Sequence, residues 1–244
     1  MEYIYILTGF LIISFLYSSV GHGGASGYIA LMVILEFTDN SRVLRQHALM
    51  LNLAVSALAF YQFWSFGYFR WKIFLPLAIG SIPMAYLGSR MALDGDWYNL
   101  LLGVMLLIPA FLFLFPIKGW TQASRKLPVW LAVIIGLVLG LLSGLTGIGG
   151  GVLLSPLLLL GKFTGQKETA ALSAPFILVN SASGLFGLAH DGLEIDFLII
   201  ISLIVVVLGG MLGSYLGAGK FNNVVLKRIL GVVLMIAAVK LLFM

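Results

Sequence analysis

Two glycine clusters stand inside long apolar stretches of the chain, Gly21-His22-Gly23-Gly24 and Gly147-Ile148-Gly149-Gly150-Gly151. Glycine is a poor helix former, so runs of this kind break a helix. A helix that restarts at such a break presents free backbone N–H groups and the positive end of its dipole, an arrangement that holds an anion. The missing side chains let a ligand come close to the backbone. Gly23, Gly24, Gly149 and Gly150 are therefore candidate binding positions, with new segments starting near Gly24 and Gly150. One GxxG alone reads as packing, because small residues let helices touch. Two clusters at equivalent places, each splitting an overlong apolar run, favour a site.

Polar residues gather near both clusters. Ser18, Ser19, His22 and Ser26 surround the first, and Ser143, Thr146 and Ser155 the second. The helices that follow carry Gln46, His47, Asn52 and Ser56 in one case and Ser173, Asn180, Ser181 and Ser183 in the other. Buried amides and hydroxyls need partners where water is excluded, so each could bond another helix or a ligand. Ser26, Gln46, Asn52, Ser173 and Asn180 are the candidate substrate contacts among them. His22 could donate to an anion or exchange a proton during transport; its counterpart, Ile148, has no such capacity. Arg42 and Arg45 could draw anions to a mouth, but read more simply as part of a solvated loop. Pro83, Pro109, Pro156 and Pro175 lie inside apolar segments, where they could kink helices.

The elements that must hold these residues are membrane helices. Of 244 residues, 61% are hydrophobic and 9% charged, against roughly 25% charged in a soluble domain. Charge-free stretches run 3–35, 46–69, 73–89, 97–117, 127–161, 169–189 and 197–219, followed by an apolar stretch at 229–243 holding only Lys240. A span needs about 20 apolar residues. Residues 3–35 and 127–161 exceed one span, and each is expected to be two segments joined at its glycine cluster. The first run reads as a mature span rather than a targeting segment. There are no cysteines and only three scattered histidines, so no metal site or cofactor is expected. The net charge of +5 reads as membrane orientation rather than nucleic-acid binding.

The chain repeats itself. Placing Gly21 on Gly147 aligns the two clusters; Asn52 then falls near Asn180 and Gly88-Ser89 near Gly213-Ser214, and LLGVMLLIPAFLFLF from 101 matches ILGVVLMIAAVKLLF from 229. The expected organisation is a first repeat 1–117, a cytoplasmic linker 118–126 and a second repeat 127–244. Each repeat has five segments, a broken or re-entrant pair plus three spans. The odd number inverts the second repeat relative to the first, as in transporters with a site near the midplane. With the linker in the cytoplasm, Arg70, Lys72, Lys162, Lys167, Lys220, Lys227 and Arg228 fall inside, and only Arg42, Arg45 and Arg90 outside, as positive-inside orientation requires. Both termini then lie outside.

The GxGGG-like clusters, Leu-Leu-Ser-Pro at 153–156, Thr164-Gly165-Gln166-Lys167-Glu168 and Asn180-Ser181-Ala182-Ser183-Gly184 resemble the sulfite exporter TauE/SafE family, over essentially the whole chain. The first cluster departs from the pattern at His22 and at Ala25-Ser26-Gly27. The resemblance implies a multi-pass protein of a cell membrane, of the prokaryotic inner-membrane kind, that moves sulfite, sulfoacetate or related organosulfonates outward. The residues themselves imply only an all-α transporter with a small anionic substrate, working by alternating access. A passive anion channel is the first alternative. A lesser one is an intramembrane serine protease, from Gly24-Ala25-Ser26-Gly27 and His190.

Overall fold

A computed structural model describes residues 2–38, 40–91, 93, 95–115, 125–219 and 223–243. The linker residues 118–124, together with Lys220, lie outside them. The described residues form ten α-helices and no strand: α1 (Glu2–Ser19), α2 (Ala25–Ile34), α3 (Ser41–Ser65), α4 (Trp71–Arg90), α5 (Gly95–Leu114), α6 (Val129–Thr146), α7 (Gly151–Leu160), α8 (Gln166–Ala189), α9 (Phe197–Gly219) and α10 (Asn223–Phe243). Six of them, α3 to α6, α8 and α9, are long and apolar enough to cross a membrane. Exposed apolar side chains such as Ile79, Phe111, Ile204 and Leu212 face outward, where lipid replaces water. Trp64, Trp71, Trp97 and Trp130 are also exposed near helix ends, the level at which aromatic rings anchor a span.

Both long stretches break at their glycines. Gly21, Gly24, Gly147, Gly149 and Gly150 have φ between 73° and 103°, a left-handed conformation that costs glycine little and other residues more. The end of α1 is sealed by His22 N–H donating to Tyr17 O at 2.9 Å, and the end of α6 by Gly147 N–H donating to Ser143 O at 2.8 Å. In each case the chain then turns back. Phe10 and Tyr28 rings lie 5.4 Å apart, and Gly27 packs on Ile13 and Tyr17, so α2 runs antiparallel to α1. Arg125 N–H donates to Lys162 O at 3.1 Å, bringing the end of α7 back beside the start of α6. The pairs are re-entrant hairpins. With 10 residues each, α2 and α7 rise only about 15 Å, half the hydrocarbon thickness of a bilayer.

The helices pack reciprocally between the halves. The principal neighbours are α1 with α9, α4 with α6, α5 with α10 and α3 with α8. Gly136, Gly140 and Gly144 of α6 lie against the backbone of Leu77, Ser81 and Ala85 of α4; Gly209, Gly213 and Gly217 of α9 lie against Leu11, Phe15 and Ser19 of α1. These four-residue steps line up parallel helices at backbone contact. In contrast, α3 and α8 cross antiparallel at the centre, where Asn52 meets Ser181.

Charged residues collect at two faces. At one, Arg42 and Arg90 pair with Asp191 at 3.8 and 3.2 Å, and Lys240 pairs with Glu36 at 3.1 Å. Lys240 thus closes on the α2–α3 connection instead of facing lipid. At the other, Arg70 pairs with Glu168 and Lys167 donates to Gly217 O at 3.2 Å. Pro76, Pro83, Pro109, Pro156 and Pro175 all sit within continuous helices.

A side chain added at the α4–α6 or α1–α9 contact overpacks backbone against backbone, at about 1–3 kcal/mol. Gly140→Leu or Gly213→Leu is expected to lower the thermal midpoint of the detergent-purified protein by about 3–10 °C. Gly95→Ala, where a Cβ meets open space, leaves it unchanged.

Candidate substrate site

The two breaks converge on one side chain. Asn52, midway along α3 and wholly buried, accepts a hydrogen bond on Oδ1 from Ala25 N–H at 3.1 Å. Its Nδ2 donates to Ser181 Oγ of α8 at 2.9 Å. The same amide lies against Gly23 of the first break and Gly149 of the second, where a Cβ on either glycine would strike it. Asn52 therefore caps the N-terminus of α2, joins the crossing of α3 and α8, and touches both glycine turns. The first free N–H of α2 is answered by protein. The N-caps of both half-helices, Gly24 and Gly150, are glycines with no side chain to cap them, and the start of α7 is also buried.

A second polar chain crosses between the halves. His22 Nδ1 lies 3.0 Å from Val20 O and Nε2 lies 2.9 Å from Ser155 Oγ; Ser155 in turn lies 2.8 Å from Ser173 Oγ. A carbonyl can only accept, so Nδ1 carries the proton. In the neutral imidazole Nε2 then accepts from Ser155; the tautomer is assigned from these partners. His22, Ser155 and Ser173 are all buried. The Phe113 ring stands edge-on to His22 at 6.3 Å.

Asn180 is placed differently from Asn52. Its Nδ2 donates to Phe176 O of its own helix at 2.8 Å, while its buried Oδ1 has no partner. From α8 it is Ile177, not Asn180, that reaches the second break, lying behind Asn52 at Gly149 and closest of all at Gly151. Ser26 donates to Tyr17 OH at 2.9 Å. Gln46 donates to Glu194 O, so it belongs to the Asp191 face rather than to the Asn52 centre. Gly24 lies against the Tyr28 ring, and Tyr28 OH donates to Gly23 O at 3.0 Å. His190 is exposed at the C-cap of α8, and no hydrogen bond joins it to Ser26, whose hydroxyl is taken by Tyr17.

Arg45 departs most from the sequence reading. Arg42 and Arg45 lie in the first turns of α3, not on a loop. Arg42 is half-exposed and bonded to Leu188 O and Gly192 O, both at 3.0 Å. Arg45 is 4% exposed and packs on Gly147 at the second break. Sequence reasoning also passed over Tyr17 and Tyr28, whose hydroxyls serve the first break. A tyrosine four residues on either side of the glycine turn was the available signal.

A buried polar centre at the meeting of two re-entrant hairpins, within a bundle of apolar spans, defines a multi-pass α-helical membrane transporter. The chain matches the sulfite exporter TauE/SafE family over residues 5–241 and belongs to that family. It is 34% identical to a probable membrane transporter protein, y4hK, of Sinorhizobium fredii (strain NBRC 101917 / NGR234), with 99% of each chain covered. It is 26% identical to a probable membrane transporter protein, YdhB, of Bacillus subtilis (strain 168), covering 92% of this chain and 94% of the relative. No solved structure matches the chain.

Asn52→Ala leaves the Ala25 N–H and the Ser181 hydroxyl without their partner, at about 1–3 kcal/mol for each buried group so stranded. Asn180→Ala removes an oxygen that already lacks one. Thermal unfolding of the two purified variants is expected to show the larger loss for Asn52→Ala.

Proposed function

We propose that this chain carries small sulfur-containing anions, sulfite, sulfoacetate or related organosulfonates, outward across a cell membrane of the prokaryotic inner-membrane kind. The observation that carries this reading is Asn52, one buried amide in contact with both glycine turns, in a chain of the sulfite exporter family. An oxyanion entering between the turns takes hydrogen bonds from backbone N–H groups at the start of α7 and from Asn52 Nδ2, under the positive ends of two half-helices. Gly23, Gly24, Gly149 and Gly150 admit it to the backbone; Asn180 Oδ1, buried and unpartnered, accepts from a protonated anion or from water carried with it. Ser173 reaches the same region through Ser155. His22 is the coupling group of this scheme, holding or releasing a proton at Nε2.

The reciprocal packing of α1 with α9 and α4 with α6 supports two inverted repeats, 1–117 and 127–244. Alternating access follows from their rocking about the α3–α8 crossing. The polar groups of the centre are bonded to one another and buried, which favours a carrier over a standing pore. The face carrying Arg70, Arg125, Lys126, Lys162 and Lys167 is assigned to the cytoplasm on its Lys and Arg bias. The cargo leaves chemically unchanged, with no cofactor.

Proteoliposomes holding the intact protein are expected to show saturable sulfite and sulfoacetate flux, abolished in the Asn52→Ala, Asn180→Ala double variant. Flux of neither anion removes the assigned substrate. Single cysteines placed at residues 4 and 243 are expected to label from the same, outer side in intact cells; labelling from opposite sides removes the inverted arrangement.

A further inference from the structure

Arg45 is the only lysine, arginine, aspartate or glutamate among the described buried residues. A buried charge is costly unless paired, and none of the ion pairs among the described residues includes Arg45; Asp191 is taken by Arg42 and Arg90, Glu36 by Lys240 and Glu168 by Arg70. What Arg45 has instead is weak. Nη1 lies 3.3, 3.4 and 3.5 Å from the carbonyls of Leu145, Met91 and Gly144, beyond the usual range of a charge-assisted bond. Nε is buried with no partner. The carbonyls of Gly144 and Leu145 end α6, so the negative end of that helix lies beside the cation.

Its place is also singular. The Cα, Cβ and Cγ of Arg45 press on Gly147, at 2.9–3.0 Å from where a Cβ would stand. At the other break, Gly21 meets Ala170 in the same way. Both residues occupy the fifth position of their helices, α3 and α8. Matched scaffold positions thus hold a guanidinium at one break and a methyl group at the other, so the fold does not require the charge. A cation held this loosely at a glycine turn is positioned to exchange carbonyl contacts for a stronger anionic partner.

We propose that Arg45 is the substrate-binding residue that selects for anions on the Asp191 side of the site. With the path closed, it rests on the C-terminal carbonyls of α6. When that side opens, the guanidinium turns to an oxyanion and makes two parallel N–H···O bonds, using the Nε–H that is unpartnered in the closed form. Selection therefore falls on planar or pyramidal oxyanions with two oxygens in reach, such as sulfite, sulfonate or carboxylate groups, over spherical halides. This rests on the anion-carrier reading above.

The test is flux in proteoliposomes across a panel of sulfite, sulfoacetate, acetate and chloride, with wild type, Arg45→Lys and Arg45→Met. Wild type is expected to prefer oxyanions to chloride at least about tenfold. Arg45→Met is expected to raise the KM for the preferred anion about tenfold or more, and Arg45→Lys to restore attraction but lose much of the discrimination against chloride, since a point charge lacks the fork. A variant with wild-type KM and selectivity overturns the proposal while the carrier reading stands. A wild type that moves no anion of the panel overturns both. If the variants do not fold, arginine modification by phenylglyoxal in the wild type is read by mass spectrometry. The preferred anion is expected to slow labelling of Arg45 about fivefold or more with Arg90 unaffected, and equal rates at Arg45 with and without anion overturn the proposal.

Discussion

A helix that begins inside a bilayer exposes backbone N–H groups that lipid cannot answer, and α2 and α7 both begin that way. The arrangement of the other helices follows from this demand. The half-helix α2 packs on α10 and α3, and α7 on α8 and α5, and their starting ends are brought to the crossing of α3 and α8. There a single amide answers the start of α2 while remaining bonded to α8 through Ser181. Moving Asn52 by one helical position would leave Ala25 N–H without an acceptor and open the contact between halves. The interior of the protein is therefore held in part by this polar node, with the His22–Ser155–Ser173 chain as a second one within the apolar core.

Most of the fold was legible in the sequence because membrane helices obey a strong rule: charge is absent where lipid is. The charge-free stretches locate all ten helices to within a few residues, and the two glycine clusters mark both breaks. The glycine ladders of α6 and α9 were equally visible as four-residue spacings but carry no direction, so they could not say which helices touch. The site was legible at Asn52 and not at Asn180. Their alignment by repeat suggested equal roles, yet from α8 it is Ile177, not Asn180, that reaches the second break. A one-turn difference on a helix is decided by rotation, which repeat matching does not report. Arg45 was misplaced for a related reason. A positive charge at the edge of an apolar run ordinarily marks water, and only the packing of Gly147 on its stem shows that it lies inside.

The described residues of the two segments match closely in helix length and neighbours, but Gly149 has a positive φ where Gly23 does not, and several side chains differ. His22 stands where the second break has Ile148, and Arg45 packs on Gly147 as Ala170 packs on Gly21. A scaffold of matched halves can present its two faces equivalently, and directional behaviour has to come from residues that break the match. His22, reaching Ser155 and Ser173 across the interface, and Arg45, beside the second break, are placed where such asymmetry would act.

The contact of α1 with α9 has a consequence for biosynthesis. The glycine ladder that receives Leu11, Phe15 and Ser19 lies at Gly209, Gly213 and Gly217, in a helix that starts at Phe197. While the ribosome is still translating α3 to α8, the first hairpin has no permanent neighbour on that flank. Its serines, Ser18 among them, wait for a bond such as the one to Gly210 O at 2.7 Å. By contrast α4 meets α6 soon after both emerge. Assembly in the membrane is thus staggered, with this hairpin locked on that flank only when the ninth helix arrives.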